Sequence, residues 1–227
     1  MLFSGYMFLI MMASIIPIAG QILSLVLVPA FPMAFMQACA DIEQGKRIKP
    51  DLLLIGLRRP VFFPLLKLGM LYLLATVITI MMSTLVDDGL LWKVISGQTP
   101  LTMQMVQEGP LLNAMLLAML VYTPAAMGFW YAAPLIMWQQ MGVGKAVFYS
   151  FFSVWHARGA FLVYGFALIC IGLLLPYIVK VLLTGILDQP QVVAIVLLPF
   201  WLMVWVVTYC SFYPTYTDVF GKPPTRD

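Results

Sequence analysis

His156 is the one histidine in this chain, Arg158 follows it two positions on, and Lys145 stands on the stretch before it. An imidazole beside a guanidinium can meet a lipid phosphate or titrate near neutral pH. A lone histidine cannot build a multi-histidine metal site or a bis-histidine heme site. Cys39, Cys170 and Cys210 fall within or at the edge of apolar runs, without metal-ligand spacing or a shared loop, and read as buried thiols. A second basic group, Lys46, Arg47, Lys49, Arg58 and Arg59, occupies one short segment and suits anionic lipid headgroups or an acidic partner. The sequence shows no phosphate-binding loop, no nucleophile with a nearby base and no zinc spacing. The expectation is therefore a non-enzymatic chain with no metal and no cofactor.

Charges at mid-membrane mark proton relays and ion-coupled carriers. None falls at the centre of an apolar run here. Lys67 comes closest, but it begins its run and can extend its ammonium to the membrane surface.

The elements that must position these residues follow from the charge-free stretches, which cover residues 1–40, 68–86, 109–144, 159–179 and 189–217. A helix needs about 18 or more apolar residues to cross a bilayer, and hydrocarbon offers backbone groups no outside partner. The runs are too long and too continuously apolar for barrel strands. Hydrophobic residues make up 63% of the chain and charged residues 9%, against about 25% charged in soluble domains. Mean hydropathy is +1.01. The fold class is an all-α, polytopic transmembrane helical bundle, a single integral membrane domain over 1–227. The net charge of +3 is too small and scattered to suggest nucleic acid.

About six spans are expected, at 2–16, 21–40, 66–86, 111–138, 159–179 and 192–213. Met1 opens directly on apolar sequence without the basic start of a secretory signal, so the first span reads as retained. Pro17 to Gly20 then turn the chain into a helical hairpin. The segment after it holds Lys46, Arg47, Lys49, Arg58, Arg59 and Lys67. With Lys145, Arg158, Lys222 and Arg226, ten basic residues lie on one side, and Lys93 and Lys180 on the other. Basic residues resist translocation, so the rich side is cytoplasmic, as are both termini. The fourth run is too long for one straight crossing. Pro124 and Pro134 offer bends.

Two loops read as amphipathic interfacial helices. From Lys145 to His156, Phe148, Phe151, Phe152 and Trp155 share one face while Lys145, Tyr149, Ser153 and His156 share the other. The earlier loop, with Leu53, Leu54 and Leu57 ahead of Arg58, is a weaker version. Short matches at offsets of 95 to 99 residues, such as Pro29 with Pro124 and Arg59 with Arg158, suggest a parallel internal repeat. Gly128 and Ala132 have the spacing that lets helices approach closely, within the chain or in a homo-oligomer. Asn113, Thr123 and Gln139 are polar enough to line a passage or to bond neighbouring helices.

Ala133-Pro134-Leu135, the segment from Gly142 through Ala146 to Ser150-Phe151, Phe161-Leu162-Val163-Tyr164-Gly165 and Tyr216-Thr217-Asp218-Val219-Phe220 resemble a family of uncharacterised bacterial multi-span inner-membrane proteins. The resemblance covers most of the chain. It implies a bacterial inner-membrane location and several spans, and brings no catalytic or ligand-binding residue with it. It also implies a Trp-rich segment ahead of the first span, which leaves open whether Met1 is the native start.

Two functional classes follow. The first is a non-enzymatic structural, assembly or modulatory membrane component that contacts the bilayer, anionic lipid at its cytoplasmic face, or a protein partner. The second is a permease or channel for a neutral or apolar solute.

Overall fold

The computed structural model describes residues 30–46, 60–102, 109–186 and 190–224, with the isolated positions Leu52, Ile55 and Met105. The expected span 2–16, residues 21–29 of the expected span 21–40, and Arg47, Lys49, Arg58 and Arg59 lie outside them. Every regular element among the described residues is helical. In chain order they are α1 (Ala30–Glu43), α2 (Phe62–Asp87), α3 (Leu90–Ile95), α4 (Pro110–Phe129), α5 (Ala132–Gln139), α6 (Val143–His156), α7 (Arg158–Ile169), a π-helical turn (Cys170–Leu174), α8 (Leu175–Ile186) and α9 (Pro190–Phe220).

Four helical stretches are long and apolar enough to cross a membrane: Phe62–Asp87, Pro110–Gln139, Arg158–Gly185 and Ile195–Phe220. Between 6% and 17% of the most apolar part of each is buried in the protein. The remainder presents side chains such as Leu85, Met119, Leu120, Leu162, Val163 and Ile195 outward. Soluble proteins do not leave apolar surface of that extent in water. These spans therefore contact lipid. The threonine hydroxyls along them turn back on their own helices, which a lipid-facing polar group requires. Thr76 donates to the Tyr72 carbonyl at 2.9 Å, Thr123 to Met119 at 2.6 Å and Thr184 to Lys180 at 2.7 Å.

The described residues fall into two compact units. One comprises residues 60–152, where α2 and α4 pack side by side and α3, α5 and most of α6 attach to them. The Tyr72 ring stacks on Phe129 with centroids 4.2 Å apart. Asp87 ends α2 and turns the chain. Its carboxylate accepts the Gly89 amide at 3.0 Å and the Leu91 amide at 2.6 Å, which supplies donors at the start of α3 with an acceptor. Asp88 and Gly89 both adopt positive φ within that turn.

The other unit comprises residues 31–46 and 153–224. α7, the π turn and α8 form one rod beside α9. At the π turn the Leu175 amide reaches back five residues to the Cys170 carbonyl. Pro176 follows immediately, and its ring and missing N–H disfavour an unbroken α ladder there. Tyr164 and Ser211 join the rod to α9 at 2.6 Å. The Ser211 proton goes to the Thr208 carbonyl at 2.7 Å, so Tyr164 is the donor.

α1 runs alongside α9 in the same direction. Phe35 stacks on Tyr209 with centroids 5.1 Å apart, and one turn further the thiols of Cys39 and Cys210 meet. The end of α1 then reaches Tyr213 and Lys222 through Glu43. Gln37, on the buried stretch of α1, donates to Asp41 at 2.8 Å.

Candidate functional site

In the unit of residues 60–152 a run of buried residues, 131–138, follows a break in its second long span. Pro134 has no N–H to give the Trp130 carbonyl, and its ring crowds that carbonyl, so an α-helix cannot pass through unaltered. The chain responds by ending α4 at Phe129 and restarting at Ala132. In an unbroken helix the Tyr131 amide would bond the Met127 carbonyl. Instead Ser150 of α6 enters the gap. Its hydroxyl accepts the Tyr131 N–H at 2.8 Å and donates to the Met127 carbonyl at 2.8 Å. Ser150 is fully buried. A side chain inserted into the helical ladder is a recognised cause of a kink, and here one hydroxyl satisfies both separated backbone groups.

α6 must lie against the break for this to happen, and Gly128 permits it. A Cβ at position 128 would stand 3.0 Å from Val147 Cγ1. Ala146, Ser150 and Val154, at helical spacing, form the buried stripe of α6. Phe148, Tyr149, Phe152 and Trp155 point outward. The helix is amphipathic as expected, but the stripe that docks on the protein consists of small and hydroxyl residues. The aromatic rings face outward, where hydrocarbon can cover them.

Placement of the residues expected to act is now visible. Gly128 and Ala132 are both buried but do not form one continuous helical face, because the break at Trp130 and Tyr131 falls between them. Only Gly128 serves the approach of α6. Lys145 stands in the first turn of α6 with its ammonium 5.7 Å from the centre of the Tyr149 ring. Arg158 begins α7 with its guanidinium 5.7 Å from the Trp155 ring centre. A cation over an aromatic face is stabilised by the ring quadrupole. His156 is exposed in the last turn of α6, and Lys46 is exposed just beyond α1. Of Asn113, Thr123 and Gln139, expected to line a passage or to bond neighbouring helices, Asn113 and Gln139 are exposed and Thr123 bonds its own helix.

A second constellation, in the other unit, had no counterpart in the sequence reading. The Glu43 carboxylate accepts the Tyr213 hydroxyl at 2.5 Å through one oxygen and the Lys222 ammonium through the other. The Lys222 bond, followed by the Tyr213 bond, holds the Glu43 carboxyl below the usual carboxylate range. Because the folded value is depressed, the contribution to stability is fully present above the ordinary carboxylate range. It is lost as the pH falls through the lowered value. We expect the end of α1 to loosen from the end of α9 only in acid, and Lys222→Gln to move that loosening to higher pH. Hydrogen exchange at residues 40–46 against pH checks this; identical profiles for the two proteins would show that the pair does not fasten α1.

Glu43 and Lys222 stand 179 positions apart, and nothing local announces their pairing. Ser150 did leave a signal. It is the polar member of the Ala146, Ser150, Val154 stripe, and Pro134 guaranteed that a backbone group nearby would need a new partner.

Long apolar helices with lipid-facing flanks, a span interrupted around a buried hydroxyl, and cationic residues at helix ends together define a helical integral membrane protein with four candidate spans. Comparison with known proteins gives the closer assignment. The chain is 33% identical over 225 aligned positions to a "Probable inner membrane protein" of Burkholderia thailandensis, an alignment that covers 97% of this chain and 83% of the relative. The chain belongs to that family of inner-membrane proteins. No family profile matches it, and no solved structure does.

Proposed function

We propose that this chain is a non-enzymatic component of the bacterial inner membrane that organises protein partners or lipid around it. The observation that carries the reading is what its polar side chains are used for. Ser150 closes the helix break, Asp87 caps α3, Glu43 fastens α1 to α9, Tyr164 bonds Ser211 across two helices, and the threonine hydroxyls of the spans bond their own helices. Polar groups arranged in this way hold helices together and leave the outward surface to recognition. The basic residues at helix ends, with Lys46, Arg47, Lys49, Arg58 and Arg59, add attraction to anionic headgroups on the cytoplasmic side.

The topology that accompanies this reading has six spans, both termini in the cytoplasm and two surface helices. The parallel course of α1 and α9 supports it, since helices two and six of such a thread both run inward. A parallel repeat fits the same thread, with Gln44 and Gly45 just past α1 answering to Gln140 and Gly142 just past α5, and Ala30 to Ala125 in α4. A permease for a neutral or apolar solute is the second reading. The interruption between α4 and α5 favours it, because transporters build their sites at broken helices.

Crosslinking in native membranes, followed by identification of what co-purifies, tests the first reading. A reproducible protein partner is expected; a chain recovered alone that moves a neutral solute in proteoliposomes would replace it with the second. For the topology, Gln98→Cys should react with an impermeant maleimide from outside the cell. Lys46→Cys should react only after permeabilisation. The reverse pattern would invert the thread.

A further inference from the structure

Between α2, α4 and α6 lies an apolar groove of about 490 Å³. Leu71 and Ile78 of α2, Pro124 and Gly128 of α4, and Phe148 and Phe152 of α6 form its walls, and no polar side chain lines it. The volume falls within the range of about 300–1,000 Å³ found for small-molecule sites. The groove is open along one side, and its walls belong to spans whose flanks meet lipid. Its occupant is therefore drawn from the membrane rather than from water.

Charge decides which lipid. Lys67 lies one helical turn before Leu71, on the face of α2 that carries Leu71, Leu74, Ala75 and Ile78 into the groove. Lys145 follows Gly144, a wall residue, in the first turn of α6. Both lysines are exposed, and neither is ion-paired among the described residues. The opening turn of α6 also presents amides without intrahelical acceptors and the positive end of the helix dipole, which favour a phosphate. No acidic residue stands among the groove walls to offset these charges.

We propose that the groove holds one acyl chain of an anionic glycerophospholipid whose phosphate is bound by Lys67, Lys145 and the start of α6. The site rests on the membrane-component reading and specifies a ligand for it. The rings of Phe148 and Phe152 clamp the chain, and the two ammonium groups select the headgroup. A zwitterionic lipid can enter the same groove but gains less from the lysines, because its own cation opposes them.

The test is titration of the full-length, detergent-purified chain with phosphatidylglycerol and with phosphatidylcholine, read by native mass spectrometry. Phosphatidylglycerol should bind more tightly. Each lysine near a headgroup is worth about one factor of five, so Lys67→Gln with Lys145→Gln should weaken phosphatidylglycerol roughly thirtyfold and leave phosphatidylcholine nearly unchanged. Gly144→Leu supplies an independent variant. A Cβ there meets nothing within 4 Å, so the fold accepts it while the added side chain obstructs the groove. It should weaken both lipids.

Equal affinity of the unaltered chain for the two lipids would overturn the proposal, as would a headgroup preference that survives loss of both lysines. So would a photo-crosslinker at Leu74 that captures polypeptide, a second copy included, in place of lipid. Soluble glycerol phosphate should not compete, since it lacks the chain that fills the groove; effective competition would also overturn the assignment. None of these results depends on whether native-membrane crosslinking finds a protein partner, so the two readings fail separately.

Discussion

Replacing Ser150 with alanine is expected to cost about 3 kcal/mol and lower the thermal midpoint in detergent by roughly 6–12 °C. The magnitude follows from what is left behind. Side-chain hydrogen bonds between membrane helices average only about 0.6 kcal/mol, because a deprived partner usually finds another. Here the deprived groups are the Tyr131 amide and the Met127 carbonyl, both placed at a buried break. They could satisfy each other only by restoring the ladder through positions 130 and 131, and Pro134 opposes that. A buried backbone group without a partner costs about 1–3 kcal/mol, and the substitution orphans two.

The mechanism makes a second, sharper forecast. Ser150→Thr keeps the hydroxyl and should recover most of the lost stability. Pro134→Ala should destabilise the unaltered chain less than it helps the Ser150→Ala chain, because removing the ring lets the helix close over the gap. A double-mutant cycle measures that coupling. If the two substitutions prove additive, Ser150 is not the replacement for a missing helical bond.

Gly128→Leu is expected to have a comparable effect by the opposite route, through excess volume. The first added atom already stands 3.0 Å from Val147 Cγ1. Overpacking of this kind costs about 1–3 kcal/mol, and the remaining atoms of a leucine would force α6 outward. The Ser150 hydroxyl rides on α6, so displacing the helix also withdraws it from the break. The combined loss should exceed that of Gly128→Ala, and Val147→Ala should suppress the alanine variant by removing the methyl in the way. Fluorescence-detected gel filtration after a temperature series reads both outcomes. Gly128→Leu at unaltered stability would mean that α6 does not depend on that approach.

Much of the architecture was legible because the bilayer restricts what a chain can do. Stretches such as 66–86 and 159–179 had to be helices, since no other local structure satisfies its backbone in hydrocarbon. The helices found there, Phe62–Asp87 and the rod from Arg158, are longer than expected. Loss of charge marks the apolar core, whereas a helix continues as far as its hydrogen bonds and caps allow. Asp87 illustrates the point: it ended the charge-free run in the sequence, and in the fold it serves as the buried acceptor that turns α2 into α3.

The long run of residues 109–144 was seen to need a bend, and two prolines were available. Pro124 sits inside α4, which continues past it, while the interruption belongs to the neighbourhood of Pro134. Both rings remove the same donor. Only beside the second does another helix bring a hydroxyl into the opened ladder, between the Tyr131 amide and the Met127 carbonyl, and that depends on α6 folding back against Gly128.

Apolar run lengths, the positions of prolines and the amphipathic rhythm of residues 145–156 are properties of the chain alone, and they determined a helical membrane protein with a broken span and an amphipathic helix. Which face of that helix docks, which proline breaks its span, and the meeting of Glu43 with Lys222 were decided by tertiary structure. The physical reason is range. Hydrophobicity and backbone valence act on each residue where it stands, while a hydrogen bond between distant residues exists only after the helices carrying them have been placed side by side.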